Sequence, residues 1–126
     1  MSIPDDVKYT PHHEWLRRTG DLVRVGITAF AASALGDVVH VELPAVGTRV
    51  RSGAVCGEIE STKSVSDLYS PCDGEIVAVN AAVTENPEVV NADPYGAGWL
   101  FTVRMVDAPE LLDSTEYAAL IDGGGR

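Results

Sequence analysis

The sequence predicts a small, mainly β protein, a sandwich or barrel of short strands with a few short helices. Short runs rich in β-branched residues are separated by turn residues about every ten positions, which is typical of such folds. Helical patterns are confined to short stretches, so a sheet of alternating strands and long helices is not expected. We expect one domain spanning 1–126, with a core at about 7–121 and a frayed tail at 122–126.

The amino-terminal part predicts a strand pair followed by a short helix. Residues 12–18 and 22–27 are strand-like and flank the turn-like segment Thr19-Gly20-Asp21. Next, Thr28 has the side chain of a helix cap, and Gly36 can end the helix in the left-handed conformation. The apolar side of this helix is expected to consist of Ile27, Phe30, Ala31 and Leu35.

The middle of the chain predicts a series of strands arranged around a central hairpin. The pattern Gly-acid-branched-Val-x-Val occurs at 36–41 and again at 74–79, on either side of Lys63. Two strand-rich halves that meet at a hairpin would produce such an echo. Strands are expected at 37–43, 48–50, 54–60, 65–69, 75–80 and 99–105.

The carboxy-terminal part predicts a helix. Pro109 can open a turn, and Asp113 and Glu116 have the spacing of a capping box. The helical run 117–121 follows and is expected to end at the glycines 123–125.

Composition excludes several classes of partner. The formal net charge is −10, which disfavours nucleic acid and anionic membranes but suits partners that present basic rims. No run approaches the eighteen or so apolar residues of a membrane span. The acidic start of the sequence is unlike a signal or transit peptide, so a cytoplasmic protein is expected.

Neither the cysteines nor the histidine pair predicts a metal site. Cys56 and Cys72 lack the Cys-x-x-Cys spacing and are expected to be small core residues in a reducing compartment, although a hairpin between them could bring them together. His12, His13 and Glu14 are adjacent, but neighbouring side chains of a strand point to opposite faces, and no second cluster completes a metal site.

Lys63 is the residue that carries the functional prediction. The chain contains seven arginines and only two lysines, Lys8 and Lys63. A lysine amine can be acylated or can form a Schiff base, whereas arginine stays protonated. Lys63 lies in a predicted turn beside Ser61, Thr62 and Ser64, whose small side chains leave its amine approachable. This arrangement favours a carrier whose chemistry is supplied by a covalently attached group.

The segment around this lysine resembles the lipoyl-lysine segment of the glycine cleavage H-protein family. The segment reads Glu60-Ser61-Thr62-Lys63-Ser64-Val65-Ser66-Asp67-Leu68-Tyr69-Ser70-Pro71. Further blocks resemble that family in the same order and extend the likeness over about residues 7–121. They are His13-Glu14-Trp15, Gly26-Ile27-Thr28, Leu35-Gly36-Asp37-Val38-Val39, Leu43-Pro44-x-x-Gly47, Asn91-x-Asp93-Pro94-Tyr95-Gly96 and Gly98-Trp99-Leu100.

The resemblance implies a hybrid barrel-sandwich fold with lipoate bound covalently to Lys63. It also implies a carrier without catalytic residues of its own. Such a carrier receives an aminomethyl group from a PLP-dependent glycine decarboxylase and delivers it to a tetrahydrofolate-dependent aminomethyltransferase. Dihydrolipoamide dehydrogenase, an FAD enzyme, then reoxidises it, and a separate enzyme attaches the lipoate. A carrier that visits several active sites is expected to be monomeric.

By similarity, Glu14 and Asp67 are the candidates for holding the loaded arm. The aminomethyl adduct is labile, so a cleft that pairs its ammonium group with a carboxylate would hold and shield it. The alternative for Glu14 is a solvated charge beside Trp15, and for Asp67 an ordinary exposed strand residue. Trp15 and Trp99 are expected in the core or in the walls of this cleft.

Two departures from the family pattern leave the lipoyl prediction intact. Thr62 stands where valine is common, and the helix at 29–34 is rich in alanine and lacks the usual acidic residues, which leaves a docking role for its exposed face open.

Other carriers fit less well. A biotinyl domain would place Met on both sides of the lysine, where Thr62 and Ser64 stand here. Lipoyl domains of 2-oxo acid dehydrogenases are shorter and lack the hairpin at 13–15 and the last helix.

Two further functions remain open at this point. An H-like protein could relay lipoyl groups to other proteins. A Schiff-base enzyme would need a desolvated pocket around Lys63, which the polar neighbours Ser61, Thr62, Ser64 and Asp67 do not favour.

Overall fold

The structure, a computed structural model, describes residues 3–108 and 110–124. Its strands are β1 (Lys8–Tyr9), β2 (Glu14–Thr19), β3 (Leu22–Ile27), β4 (Val38–Glu42), β5 (Arg49–Val50), β6 (Val55–Ser61), β7 (Val65–Tyr69), β8 (Asp73–Val79) and β9 (Phe101–Asp107). Its helices are α1 (Ala29–Leu35), α2 (Ala81–Glu85), α3 (Val89–Ala92) and α4 (Ser114–Gly124). The predicted mainly β fold with short helices is therefore confirmed.

The strands form two antiparallel sheets. The larger has the order β1-β2-β3-β9-β8-β5, and the smaller has the order β4-β6-β7. The two copies of the repeated pattern become β4 in the small sheet and β8 in the large one. The hairpin β6-β7 lies between them in the chain, as the repeated pattern predicted.

One apolar core includes buried side chains from both sheets. In β3, Val23, Val25 and Ile27 are buried whereas Leu22 and Arg24 are exposed, which is the alternation of a strand with one buried face. The small sheet contributes Val38, Val41, Ile59 and Leu68 to the same core. Each such side chain contributes roughly 1.5–3 kcal/mol when fully buried, so this core stabilises the small sheet that carries the β6-β7 hairpin.

Helix α1 has the predicted caps but a broader buried side than predicted. The Thr28 side chain accepts a hydrogen bond from the Ala31 N–H, and Gly36 ends the helix as predicted, with φ of 81° but ψ of −158°, outside the predicted left-handed conformation. The buried helical residue is Ala32, which was not assigned to the apolar side. Ala32 is covered because α3 packs on α1, where the Asn91 side chain donates to the carbonyls of Ala32 and Gly36.

Helices α2 and α3 were not predicted. They contain five and four residues, too few to show a helical hydrophobic period. Asn80 caps α2 by accepting from the Ala82 N–H. The Asn91 carboxamide also accepts from the Val38 N–H at 2.9 Å, so α3 joins the end of α1 to the start of β4.

The carboxy-terminal helix begins at the predicted capping box. The Asp113 N–H donates to Glu116 Oε1 at 3.0 Å, and the Glu116 N–H donates to Asp113 Oδ1 at 2.8 Å. The helix extends to Gly124, two residues into the predicted terminating glycines. The predicted turn at Pro109 and the last two residues of the predicted frayed tail lie outside the described residues.

A second, aromatic cluster attaches α4 to the large sheet. The rings of Tyr9 and Tyr117 are stacked, with centroids 4.6 Å apart and planes at 7°. Trp15 is buried in the same cluster, and its indole N–H donates to the Pro94 carbonyl at 2.9 Å. Tyr9 and Leu112 exchange two backbone hydrogen bonds of 2.8 Å. The last helix is thus held on β1 and β2.

The thiols and possible metal ligands are dispersed in this fold. Cys56 is half-buried and Cys72 buried, both are free thiols, and burial raises their pKa to about 12 and about 11. Within residues 3–108 and 110–124, no group of three or more His, Cys, Asp or Glu side chains could hold a metal ion. None of the described helices is long and apolar enough to cross a membrane.

Candidate functional site

Lys63 lies in the turn at the tip of the β6-β7 hairpin, and its side chain is exposed. The turn is closed by a backbone hydrogen bond of 2.8 Å from the Ser61 N–H to the Ser64 carbonyl. The buried Ser61 hydroxyl oxygen also accepts from the N–H groups of Lys63 and Ser64, each at 3.1 Å. Ser61, noted in the sequence only for its size, therefore fixes the backbone beneath the lysine.

The turn is also fastened to the end of α1. The Thr62 N–H donates to the Asp37 carbonyl at 3.0 Å. The Lys63 side chain lies over Gly36, so that a β-carbon on Gly36 would stand 3.0 Å from Lys63 Cε. The amine is therefore approachable while the root of its side chain has a defined position. That combination suits an attachment site rather than a buried Schiff-base nucleophile, which needs a desolvated amine.

The exposed face of the small sheet beside the hairpin is acidic. Glu42, Glu58 and Asp67 lie directly opposite one another on β4, β6 and β7. Glu60 lies opposite His40 on the same pair of strands. All four carboxylates are exposed. This face concentrates part of the net negative charge around the lysine and is complementary to a basic rim on a partner.

A cleft of about 250 Å³ contains both predicted arm-binding residues, Glu14 and Asp67. One wall is the apolar side of α1, and the opposite wall is formed by β6 and β7. The remaining lining residues are His12, His13, Ile27, Phe30, Ala31, Ala34, Leu35, Ile59, Ser66 and Leu68. Since Leu35 adjoins Gly36, the cleft begins next to the glycine that the Lys63 side chain covers.

Glu14 is a buried carboxyl group and not the solvated charge considered as the alternative. Only 2% of the residue is exposed. The Thr10 hydroxyl donates to Oε1 at 2.9 Å, and the Tyr69 N–H donates to Oε2 at 3.3 Å. Burial raises the pKa of Glu14 to about 7, and these two hydrogen bonds oppose that rise. Asp67, by contrast, is exposed at the edge of the cleft.

Sequence reasoning missed the roles of His12 and His13, which line the cleft, and of Thr10, which holds Glu14 from behind it. The chain reverses at 10–13, where the His13 N–H donates to the Thr10 carbonyl at 3.1 Å, and this reversal brings Thr10 to Glu14. His13 has φ of 66°, and its Nδ1 lies 2.8 Å from the Tyr117 hydroxyl. His12 stacks on the Tyr69 ring with centroids 4.3 Å apart. The adjacent His-His-Glu sequence was the only signal of this corner.

Neither tryptophan lines the cleft. Trp15 lies in the second aromatic cluster, so the core part of its prediction is correct. Trp99 packs against that cluster, and the Arg24 guanidinium lies 4.4 Å from the centre of its ring. The described walls of the cleft instead come from α1, from residues 12–14 and from the β6-β7 hairpin.

The fold and the site together define a class of protein: a carrier domain with two sheets, in which a lysine at a hairpin tip stands beside a cleft. The family model for glycine cleavage H-proteins matches residues 7–123. The chain belongs to the glycine cleavage H-protein family. It is therefore a non-catalytic lipoyl carrier component of the glycine cleavage system, and it acts together with the other components of that system.

Relatives of nearly the same length support this assignment. The chain is 58% identical to the glycine cleavage system H protein of Beutenbergia cavernae, over 98% of this chain and 99% of the relative. It is 53% identical to that of Thermobifida fusca, over 99% and 100%. A crystal structure of the H protein from Mycobacterium marinum superposes with a TM-score of 0.90 at 50% identity, over 97% and 99%. The likeness covers the hairpin and all the elements around the cleft.

Proposed function

We propose that Lys63 carries lipoate in amide linkage and that the chain uses this arm to carry the aminomethyl group derived from glycine. The observation that carries the proposal is the exposed Lys63 amine on a fixed hairpin tip beside the cleft of Glu14 and Asp67. When attached, lipoate supplies a disulfide that can accept the aminomethyl group and be regenerated by oxidation. The protein supplies the position of the arm and a place for its loaded end.

The residues present fit such an arm. Small neighbours surround Lys63, and no ion pair formed by the described residues includes its amine. The apolar wall of α1 suits a hydrocarbon chain, and the cleft also holds two carboxyl groups for an ammonium group. The small volume of the cleft suits a linear arm better than a large substrate.

The proposed role of Glu14 and Asp67 is to retain the loaded end until the next enzyme takes it. Because burial raises the pKa of Glu14 to about 7, this carboxyl group is held close to its ionisation point when the cleft is empty. An ammonium group entering the cleft would favour the carboxylate and displace a proton. The resulting ion pair lies against an apolar wall, where it is less screened than in water and where water is kept from the adduct.

The proposed partners are the three enzymes that load, unload and reoxidise the arm, and the enzyme that attaches it. They are the PLP-dependent glycine decarboxylase, the tetrahydrofolate-dependent aminomethyltransferase, the FAD-containing dihydrolipoamide dehydrogenase and a lipoate-attaching enzyme. The acidic face around Lys63 supports docking on basic rims of these partners. We include in the proposal a monomeric chain, because a carrier visits several active sites, and a cytoplasmic location, which the bacterial relatives and free thiols support.

Attachment at Lys63 is tested by measuring the intact mass of the chain after incubation with a lipoate ligase. Wild type should gain the mass of one lipoyl group, and Lys63→Arg should gain none. Lys8→Arg is the matched control because Lys8 is the only other lysine, and it should be modified like wild type. Modification that persists in Lys63→Arg would disprove the assignment of the site.

The cleft is tested with the lipoylated chain after loading by the decarboxylase. Glu14→Gln and Asp67→Asn should each shorten the time over which the loaded chain retains its aminomethyl group. Glu58→Gln is the matched control, because Glu58 lies opposite Asp67 but does not line the cleft. Equal lifetimes in all four proteins would rule out the retaining role. A glycine–carbon dioxide exchange assay with the decarboxylase separates glycine cleavage from a role limited to lipoyl relay.

A further inference from the structure

Tyr117 of the last helix joins two walls of the arm cleft. Its hydroxyl oxygen lies 2.7 Å from Thr28 Oγ1 and 2.8 Å from His13 Nδ1. Thr28 caps α1, the apolar wall of the cleft, and His13 precedes Glu14 in the lining segment 12–14. One buried phenol in a distant helix therefore contacts the cap of the α1 wall and the segment that carries Glu14.

The position of Tyr117 is itself fixed by packing. The residue is fully buried, and its ring stacks on Tyr9 in the second aromatic cluster. Its N–H donates to the Asp113 carbonyl at 2.9 Å within the capped first turn of α4. The His13 ring contacts it edge-on, with centroids 5.7 Å apart, and also packs on Phe30 at 5.0 Å. The hydroxyl group thus stands at the meeting point of three elements.

The hydrogen bonds around Tyr117 can run in only one direction if every buried hydroxyl proton is to have an acceptor. Thr28 Oγ1 already accepts from the Ala31 N–H, and Thr28 is fully buried. If His13 Nδ1 donated to Tyr117, and Tyr117 to Thr28, the Thr28 proton would be left without a partner among the described residues. A buried hydroxyl without an acceptor has lost its hydrogen bonds to water and gained none in the protein, which is destabilising. Every buried proton has an acceptor only if the Thr28 hydroxyl donates to the Tyr117 oxygen and the Tyr117 hydroxyl donates to His13 Nδ1.

This order requires His13 Nδ1 to be an acceptor. His13 is then neutral and carries its proton on Nε2, which points away from Tyr117. Burial lowers the pKa of His13, and the neighbouring His12 lowers it by a smaller amount. Both effects support the neutral form. Burial raises the pKa of Tyr117 to about 12, and the phenol therefore keeps the proton that it donates. The left-handed backbone of His13 shows that the surroundings hold this residue in an otherwise uncommon conformation.

We propose that Tyr117 is a positioning residue of the arm cleft. Its hydroxyl group holds the cap of α1 and the Nε2–H tautomer of His13 in one relay, which keeps the α1 wall at the correct distance from Glu14. The proposal rests on the proposed function, in which the cleft retains the loaded arm. It assigns to the carboxy-terminal helix a part in retention, although that helix contributes no side chain to the cleft lining.

The first test reads the tautomer of His13 by long-range nitrogen–proton NMR of the lipoylated protein. The three histidine signals are assigned with His12→Gln and His40→Gln. The wild type should show His13 as the Nε2–H tautomer at neutral pH. A wild-type Nδ1–H tautomer would overturn the relay directly, and this measurement needs no variant at position 117.

The second test compares Tyr117→Phe with Tyr9→Phe. Each variant removes one hydroxyl group from the same aromatic stack, but the Tyr9 hydroxyl donates to the Pro4 carbonyl and does not touch the cleft residues. Tyr117→Phe should mix the His13 tautomers and shorten the lifetime of the loaded arm about fivefold, the effect of losing one net hydrogen bond. Tyr9→Phe should change neither, and both should be lipoylated like wild type.

The outcomes separate this proposal from the proposed function. Unchanged His13 tautomers in Tyr117→Phe would overturn the relay. Equal effects of Tyr9→Phe and Tyr117→Phe would show that the aromatic stack, and not the Tyr117 hydroxyl group, fixes the position of the α1 wall relative to Glu14. A shifted tautomer with an unchanged lifetime would overturn the positioning role if Glu14→Gln still shortens that lifetime. If Glu14→Gln has no effect, the retaining function fails, while the NMR result still decides whether the relay exists.

Discussion

The side chain of Lys63 lies over Gly36, at a distance where a β-carbon on Gly36 would stand 3.0 Å from Lys63 Cε. Gly36 also ends α1 with φ of 81°, and the next residue, Asp37, accepts from the Thr62 N–H of the hairpin turn. The attachment point of the arm and the helical wall of the cleft are therefore joined at one residue. A displacement of this joint would move the root of the arm relative to its cleft.

Gly36→Ala is expected to reduce both stability and the rate of lipoylation. With φ of 81° and ψ of −158°, Gly36 lies in a backbone region that residues with a β-carbon rarely adopt, which alone should cost about 1–3 kcal/mol in the free energy of unfolding. The added methyl group would also press on the Lys63 side chain and displace it. Urea unfolding and the initial rate of lipoate attachment are the measurements.

Gly20→Ala is the control for this substitution. Gly20 has a similar φ of 65°, and a β-carbon there would meet nothing within 4 Å. It should lose stability but keep the wild-type rate of lipoylation. If Gly36→Ala also kept that rate, the contact with Lys63 would have no bearing on attachment.

Ser61→Ala is expected to loosen the turn that presents Lys63. It removes the oxygen that accepts from the N–H groups of Lys63 and Ser64. We expect a loss of about 1–2 kcal/mol in the free energy of unfolding and faster hydrogen exchange of these two amides. Ser64→Ala is the control, because the turn uses the backbone carbonyl and N–H of Ser64. Identical exchange rates in the two variants would show that the Ser61 hydroxyl does not order the tip.

Features that depend on local chemistry could be predicted from the sequence. Thr28 and Gly36 bound a helix through side-chain capping and a positive φ, which single residues encode, although Gly36 has ψ of −158° and not the predicted left-handed conformation. Asp113 and Glu116 form their capping box for the same reason. Lys63 at a hairpin tip followed from strand patterns on both sides. Each of these interactions is made within a few residues of chain.

Features that depend on contacts between distant segments were missed or left open. Ala32 is buried because α3 covers it, and α3 is too short to be recognised by its own pattern. The relation of His13 to Tyr117 joins residues at opposite ends of the chain. Glu14 could have been solvated or buried as far as the sequence shows, since its burial depends on the return of β7 past residues 10–14. These features are set by tertiary packing.

Glu58→Gln is expected to stabilise the chain slightly and to weaken its use by partner enzymes. Glu58 lies between Glu42 and Asp67 in a row of like charges across three strands, and such neighbours repel each other. The urea midpoint should rise at low salt, and the difference from wild type should shrink at high salt because the charges are exposed.

The same variant should raise the KM for the lipoylated chain with at least the decarboxylase if the acidic face docks on a basic rim. Glu110→Gln, which removes one exposed carboxylate outside the row, is the control for net charge. Equal KM values for the two variants would argue against docking through this row.

The raised pKa of Glu14 should make the stability of the chain fall as pH rises from about 4.5 to about 7. The carboxyl group has an ordinary pKa of 4.5 and a folded pKa of about 7, because burial disfavours its charge. The folded state therefore holds a proton that the unfolded state has released, so this contribution to stability is fully present below pH 4.5 and is lost as pH rises through 7. Its upper bound is about 3 kcal/mol. Urea unfolding of wild type and Glu14→Gln across this range isolates the effect.

Gln cannot titrate, and it should therefore flatten this part of the profile even if losing one acceptor for Thr10 or Tyr69 lowers stability at every pH. Glu110→Gln should keep the wild-type slope. The retention of the loaded arm by Glu14 should instead become stronger as pH rises, since the ammonium group of the arm pairs with the ionised carboxylate. The ratio of the loaded-arm lifetime in wild type to that in Glu14→Gln should therefore increase as pH rises toward 7. A ratio that stays constant over this range would mean that ionisation of Glu14 does not retain the arm.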